Sequence, residues 1–135
     1  MSTTIAVAGH QYFAKRDHRD RTPDKSQWTI REDYERSVFE RTVVESWLAD
    51  GHGWGLHLAA GSVNKLGESA RGHGDVRDLF VAFFVMDSVC HGYPSDPIRS
   101  PREIPPTPVR RDWLTQGMMR PSAIRKMSRG VRWKP

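Results

Sequence analysis

The chain's one cysteine, Cys90, is followed directly by His91 in the stretch CHGYPSDP. A thiol beside an imidazole is the raw material of a nucleophile and its base, provided both groups point at the same place. On a strand, successive side chains leave opposite faces, so this pair cannot hydrogen-bond unless the backbone bends sharply. Cys90 is therefore expected as a small buried hydrophobe at a strand end, with Gly92 and Pro94 closing the strand. A base for it would have to come from elsewhere: His57, on the polar side of an earlier alternating run, or His10, His18, His52 and His73 in loops. If the chain is an enzyme, the candidate bases are His57 and His91. The chemistry is then that of a small toxin-like nuclease or transferase, with an arginine holding the phosphate or its transition state.

Metal and cofactor signatures are not found. A structural zinc site draws on four ligands in recognisable pairs, and one cysteine with scattered histidines supplies none, so no metal is expected. The runs GHGWG and RGHGD match neither a dinucleotide fingerprint nor a phosphate loop, and they read as turns, so no cofactor is expected.

The strongest chemical signal is charge. From Arg99 to Pro135 ten basic residues face two acidic ones, so this stretch carries +8 where the whole chain carries +5. Such asymmetry marks a segment that meets a polyanion or docks on an acidic neighbour. The candidate nucleic-acid-binding residues are Arg110, Arg111, Arg120, Arg125, Lys126, Arg129, Arg132, Trp133 and Lys134. Arg125 and Arg129 lie four apart, with Ser122 a turn earlier, which places them on one helix face; Ile124 and Met127 then turn to the core. Trp113 and Trp133, flanked by arginine and lysine, have the form of stacking platforms for unpaired bases. The order helix, glycine-containing turn, helix resembles a helix-turn-helix, whose second helix enters the DNA major groove. It departs from that motif in a spacing from Gly117 to Ile124 one residue too long, and in Trp113 where a small residue suits close helix packing.

The elements that position these residues are legible in part. A chain of 135 residues with 37% hydrophobic and 27% charged residues fits one globular domain. The mixed charges of residues 14 to 28 leave no face to bury, so residues 1 to 28 are expected largely as loop. From Thr29, apolar residues at three-to-four spacing (Ile30, Tyr34, Val38, Phe39, Val43, Val44, Trp47, Leu48) predict one long helix, with Thr29 and Glu32 as a capping box and Gly51 as the stop. GWGLHLAA alternates as a half-buried strand, and SVNKLGES reads either as its hairpin partner or as a short helix. LFVAFFV, apolar on both faces, reads as a central strand covered on both sides. Prolines from Pro94 to Pro108 predict an extended arm, followed by two short helices, TPVRRDWLTQG and RPSAIRKMSRG.

The expected architecture is α+β: a small antiparallel sheet packed on one long helix, with a C-terminal proline-rich arm and two short basic helices. Its divisions are residues 1–28, the α+β core 29–94, and 95–135 packed on that core as part of one domain. The expected function is that of a small basic nucleic-acid-binding or nucleic-acid-associated accessory protein, and the residues do not compel an enzyme. The alternatives are a protein-protein adaptor subunit whose basic segment meets an acidic partner, and the histidine-based enzyme above. No run is long and apolar enough for a membrane span or an export signal, and a lone cysteine suits a reducing compartment, so a cytoplasmic location is expected.

Overall fold

The computed structural model describes residues 3–135, and the chain is α+β, with three α-helices and several small antiparallel sheets. Its strands are β1 (Ile5–Val7), β2 (His10–Tyr12), β3 (Gln27–Trp28), β4 (Leu48–Ala49), β5 (His52–Ala59), β6 (Ser62–Asn64), β7 (Gly67–Glu68), β8 (Asp78–Leu79), β9 (Val81–Val85) and β10 (His91–Pro94). The helices are α1 (Glu32–Val44), α2 (Thr107–Thr115) and α3 (Pro121–Ser128). The main sheet runs β10-β9-β5-β4, with β6 folding back on β5. A hairpin of β1 and β2 and a three-stranded sheet β3-β7-β8 complete the β structure.

The run read as a central strand is one. β9 lies between β10 and β5, pairing Phe83 with Tyr93 on one side and with Trp54 on the other. Because side chains alternate along a strand, β9 feeds two cores. Ala82 and Phe84 join Tyr12, Trp28, Val38, Phe39, Leu66 and Cys90 on the α1 side. Val81 and Phe83 join Trp47, Trp54, Leu56, Val109, Trp113, Met119 and Met127 on the α2 and α3 side. The second core explains the sequence pattern of β5, whose large residues Trp54 and Leu56 face the C-terminal helices. Its glycines face α1. A Cβ at Gly55 would collide with Thr42 Oγ1 and Val38 Cγ1, so the helix can lie this close only over a bare backbone.

Helix α1 is shorter than its sequence pattern suggests and turned about its axis. It begins at Glu32 with Arg31 as N-cap and no side-chain cap, so the expected capping box at Thr29 does not form. It ends at Val44, where Ser46 takes a left-handed conformation, and Gly51 instead turns the β4–β5 hairpin. Released from the helix, Trp47 is buried in the second core, edge-on to Trp113 at 5.7 Å, and its Nε1 donates to Asp112 Oδ2 at 2.6 Å. The buried face of α1 is Glu35, Val38, Phe39 and Thr42, while Tyr34 and Val44 are exposed. Apolar spacing missed this face because two of its four members are polar.

Two further expectations are corrected. Residues 14–28 are not a wholly solvated loop: Ala14, His18, Ser26 and Trp28 are buried, and the segment carries a 3-10 turn at Arg16–His18 and β3. The proline-rich stretch is not an extended arm. Ser95 donates to the Val81 carbonyl, Arg99 and Ser100 fold back on the Asp96 carbonyl, and Pro101–Glu103 forms a 3-10 turn. The result is a folded strap against the sheet. The last two helices form where the sequence places them, with Pro108 and Pro121 in their first turns and Gly117 and Gly130 at φ +72° and +67° just past their ends. Among the described residues no helix is long and apolar enough to cross a membrane.

Candidate functional site

Helix α3 splits into an apolar and a cationic side. Ala123 and Met127 are buried and Ile124 packs on the second core, which anchors the helix. The opposite side presents Ser122, Arg125, Lys126, Ser128 and Arg129 around one shallow depression of about 330 Å³. Arg111, Arg120, Arg132 and Lys134 are also exposed, and Arg110 is partly so. Among the described residues, none of these eight cations forms an ion pair with a carboxylate. Arg110 bonds the Thr107 hydroxyl and Arg120 the Lys134 carbonyl, and the ion pairs among the described residues lie before Pro97. The positive charge of the C-terminal third is therefore not consumed internally.

The two tryptophans differ in exposure, Trp113 being buried and Trp133 half-buried. Trp113 is fully buried against Trp47, so it offers no face to a base. Trp133 packs at 5.6 Å on Phe80 and borders the second core, which gives its ordered position a structural reason. In the helix-turn-helix resemblance, Trp113 occupies the slot for a close helix contact. Here it points into the sheet instead.

The candidate bases are not brought together. His57 lies on β5 beyond the Leu56–Val81 pair, its ring 5.4 Å from that of Tyr34, and His91 pairs with Val85 at the other end of β9. Five residues of strand separate these levels, about 17 Å. Burial lowers the pKa of both imidazoles, which favours the neutral ring. Cys90 is fully buried, with its Sγ 3.4 Å from the Asp87 carbonyl and 4.0 Å from His10 Nδ1. His91 leaves the strand on the other face, and the adjacent pair is not a dyad.

What sequence reasoning missed are two sets of buried polar groups. In the first, Glu35 is fully buried beneath α1; Tyr12 donates its hydroxyl to Oε2, and Arg19 donates from Nε at 3.1 Å and from a terminal nitrogen at 2.7 Å to Oε1. Arg19 also donates to the Ile30 carbonyl at 2.9 Å, so it clamps the start of α1 to the N-terminal segment. In the second, His18, Ser26, Tyr93, Asp96 and Glu103 line a cleft of about 260 Å³ between the Arg16–His18 turn and the strap. His18 stacks flat on Tyr93 at 4.7 Å and 10°, and Tyr93 donates to Glu103 Oε2 at 2.7 Å. Burial lowers the His18 pKa and raises that of Glu103, in each case disfavouring the charged form. A histidine among the charges of KRDHRDR carries no periodic signal, and its partners lie far along the chain. Comparison with protein-family models, with curated proteins and with solved structures finds no match for this chain.

Proposed function

We propose that the chain is a small nucleic-acid-binding or nucleic-acid-associated accessory protein that grips the sugar–phosphate backbone through the cationic side of α3. The single observation that carries this reading is the cluster of Arg125, Lys126 and Arg129 around one depression, with no carboxylate partner among the described residues. Backbone contact needs only positive charge at phosphate spacing, and the flanking Arg111, Arg120, Arg132 and Lys134 widen the field that attracts the polyanion. Ser122 supplies a hydroxyl donor of the kind that bonds phosphate oxygens, whereas Ser128 Oγ already donates to the Arg125 carbonyl at 2.7 Å. Stacking by Trp113 is not part of the proposal, since that ring is fully buried. A cytoplasmic location belongs to the same reading, with the lone thiol of Cys90 kept reduced and inside the core.

The test is purification without nuclease treatment. Co-purifying nucleic acid that is released by salt supports the reading. A stoichiometric acidic protein on the same surface, with no nucleic acid, overturns it in favour of an adaptor subunit.

A further inference from the structure

The cleft beside His18 has the build of a ligand site. Its floor holds four buried polar side chains, His18, Ser26, Asp96 and Glu103, where burial of polar groups carries a desolvation cost unless each is bonded. Each is fixed in place. His18 Nδ1 bonds the Ser26 carbonyl at 2.8 Å, and Ser26 Oγ donates to the Pro94 carbonyl at 2.7 Å. The Glu103 backbone carbonyl accepts from Trp54 Nε1 at 2.9 Å, which ties the strap to the sheet. Such fixed groups orient a ligand without reorganising.

The charge of the cleft is cationic once its internal pairs are set aside. Asp96 is taken by Arg77 in a two-pronged pair at 2.7 and 2.6 Å. Glu103 is bonded by Tyr93, and its burial opposes ionisation. Asp24, on the rim, is largely exposed and lies 3.4 Å from His73, which offsets its charge only when protonated, so the three rim cations face this one solvated carboxylate. That leaves Lys25, Arg99 and Arg102, exposed on the rim and without a carboxylate partner among the described residues. Two guanidinium forks and an ammonium around one mouth suit an oxyanion with several terminal oxygens, which a carboxylate does not offer. A volume of about 260 Å³ is below that of drug-sized pockets, so the ligand is small.

We propose that this cleft binds a phosphate monoester, with the dianionic head held by Lys25, Arg99 and Arg102 and the organic part resting against His18. The same head group occurs on a free sugar phosphate and at the 5′ end of a nucleic-acid strand. None of the cleft residues belongs to α3, so this site stands or falls apart from the backbone grip proposed above.

The experiment is a calorimetric titration of the full chain with ribose 5-phosphate, with ribose as control, repeated on an R99A/R102A variant and on Arg31→Ala, an exposed cation outside both sites. Saturable binding of ribose 5-phosphate but not ribose is expected, weakened about ten-fold or more in R99A/R102A and unchanged in Arg31→Ala. Both substituted arginines are exposed, and circular dichroism checks that the variants fold; Lys25→Ala provides an independent weakening of the same site. A short oligonucleotide with and without a 5′ phosphate separates the sources. Preference for the phosphorylated strand, lost in R99A/R102A, supports the site with a strand end as ligand, and equal binding of the two strands beside saturable ribose 5-phosphate supports it with a free ester. Absence of saturable binding to every phosphorylated probe, or binding that R99A/R102A leaves intact, overturns the proposal.

Discussion

Removing two charges from α3 gives the sharpest prediction about function. In an R125A/R129A variant, Lys126 alone remains of the three helix cations around the depression. Each phosphate neutralised on duplex DNA contributes about −0.9 to the slope of log affinity against log salt. Three contacts give a slope of about −2.7, so affinity falls roughly 40-fold from about 50 to about 200 mM salt. One contact gives about −0.9 and a fall of roughly 3.5-fold over the same range. Further contacts from Arg111, Arg120 or Lys134 steepen both lines equally, so the expected difference between the two slopes stays at about 1.8. Fluorescence anisotropy with a labelled random duplex at four or more salt concentrations reads it directly. Arg31→Ala, which removes an exposed cation already paired with Asp33 at 3.0 Å, is the control and leaves the slope in place. Equal slopes for R125A/R129A and the unaltered chain, with both folded, refute the assignment of the interface to α3.

Three other outcomes concern the scaffold. Arg19→Met strands the fully buried Glu35 without its ion partner and costs about 3–5 kcal/mol, while R19M/E35M recovers only part of that loss because the buried Tyr12 hydroxyl then lacks its acceptor; urea denaturation of the single and double variants measures both. Gly55→Ala pushes a methyl into Thr42 and Val38 and destabilises by about 1–3 kcal/mol, seen as a lower denaturation midpoint with unchanged slope. Burial lowers the His18 pKa in the fold, with Lys25 and Lys15 reinforcing and Asp17 and the Ser26 carbonyl opposing, so the unfolded chain binds more protons. His18's contribution is complete above about pH 6.5, shrinks as pH falls below that value, and levels off beneath the depressed native pKa. Comparing midpoints at about pH 7.5 and about pH 5.5 shows a smaller loss in His18→Gln than in the unaltered chain.

How much of this was legible in the sequence depends on whether a burial pattern was apolar. LFVAFFV announced a strand covered on both faces, and GWGLHLAA announced alternation, because hydrophobic period is the primary local signal. The C-terminal helices were marked by proline at the start and glycine at the end. Helix α1 was misjudged at both ends, since Gly51 is as good a hairpin residue as a helix stop and Trp47 is apolar in either setting. Its buried face is hidden from the apolar period because Glu35 and Thr42 occupy two of its four positions. The cationic side of α3 was visible from the spacing of Arg125 and Arg129. The His18 cleft was not, because it is assembled from the N-terminal turn, the end of β10 and the strap, which only tertiary packing brings together.

The two cores on either side of β9 have a practical consequence for how this molecule can be dissected. Val109, Trp113, Met119 and Met127 roof over Trp54, Leu56 and Phe83, so the positively charged helices double as the lid of half the interior. A truncation before Thr107 would uncover those aromatic rings and invite aggregation, and a peptide spanning only the helices would lack the surface that shapes them. The anion-attracting face can therefore be studied by substituting side chains, not by cutting the chain.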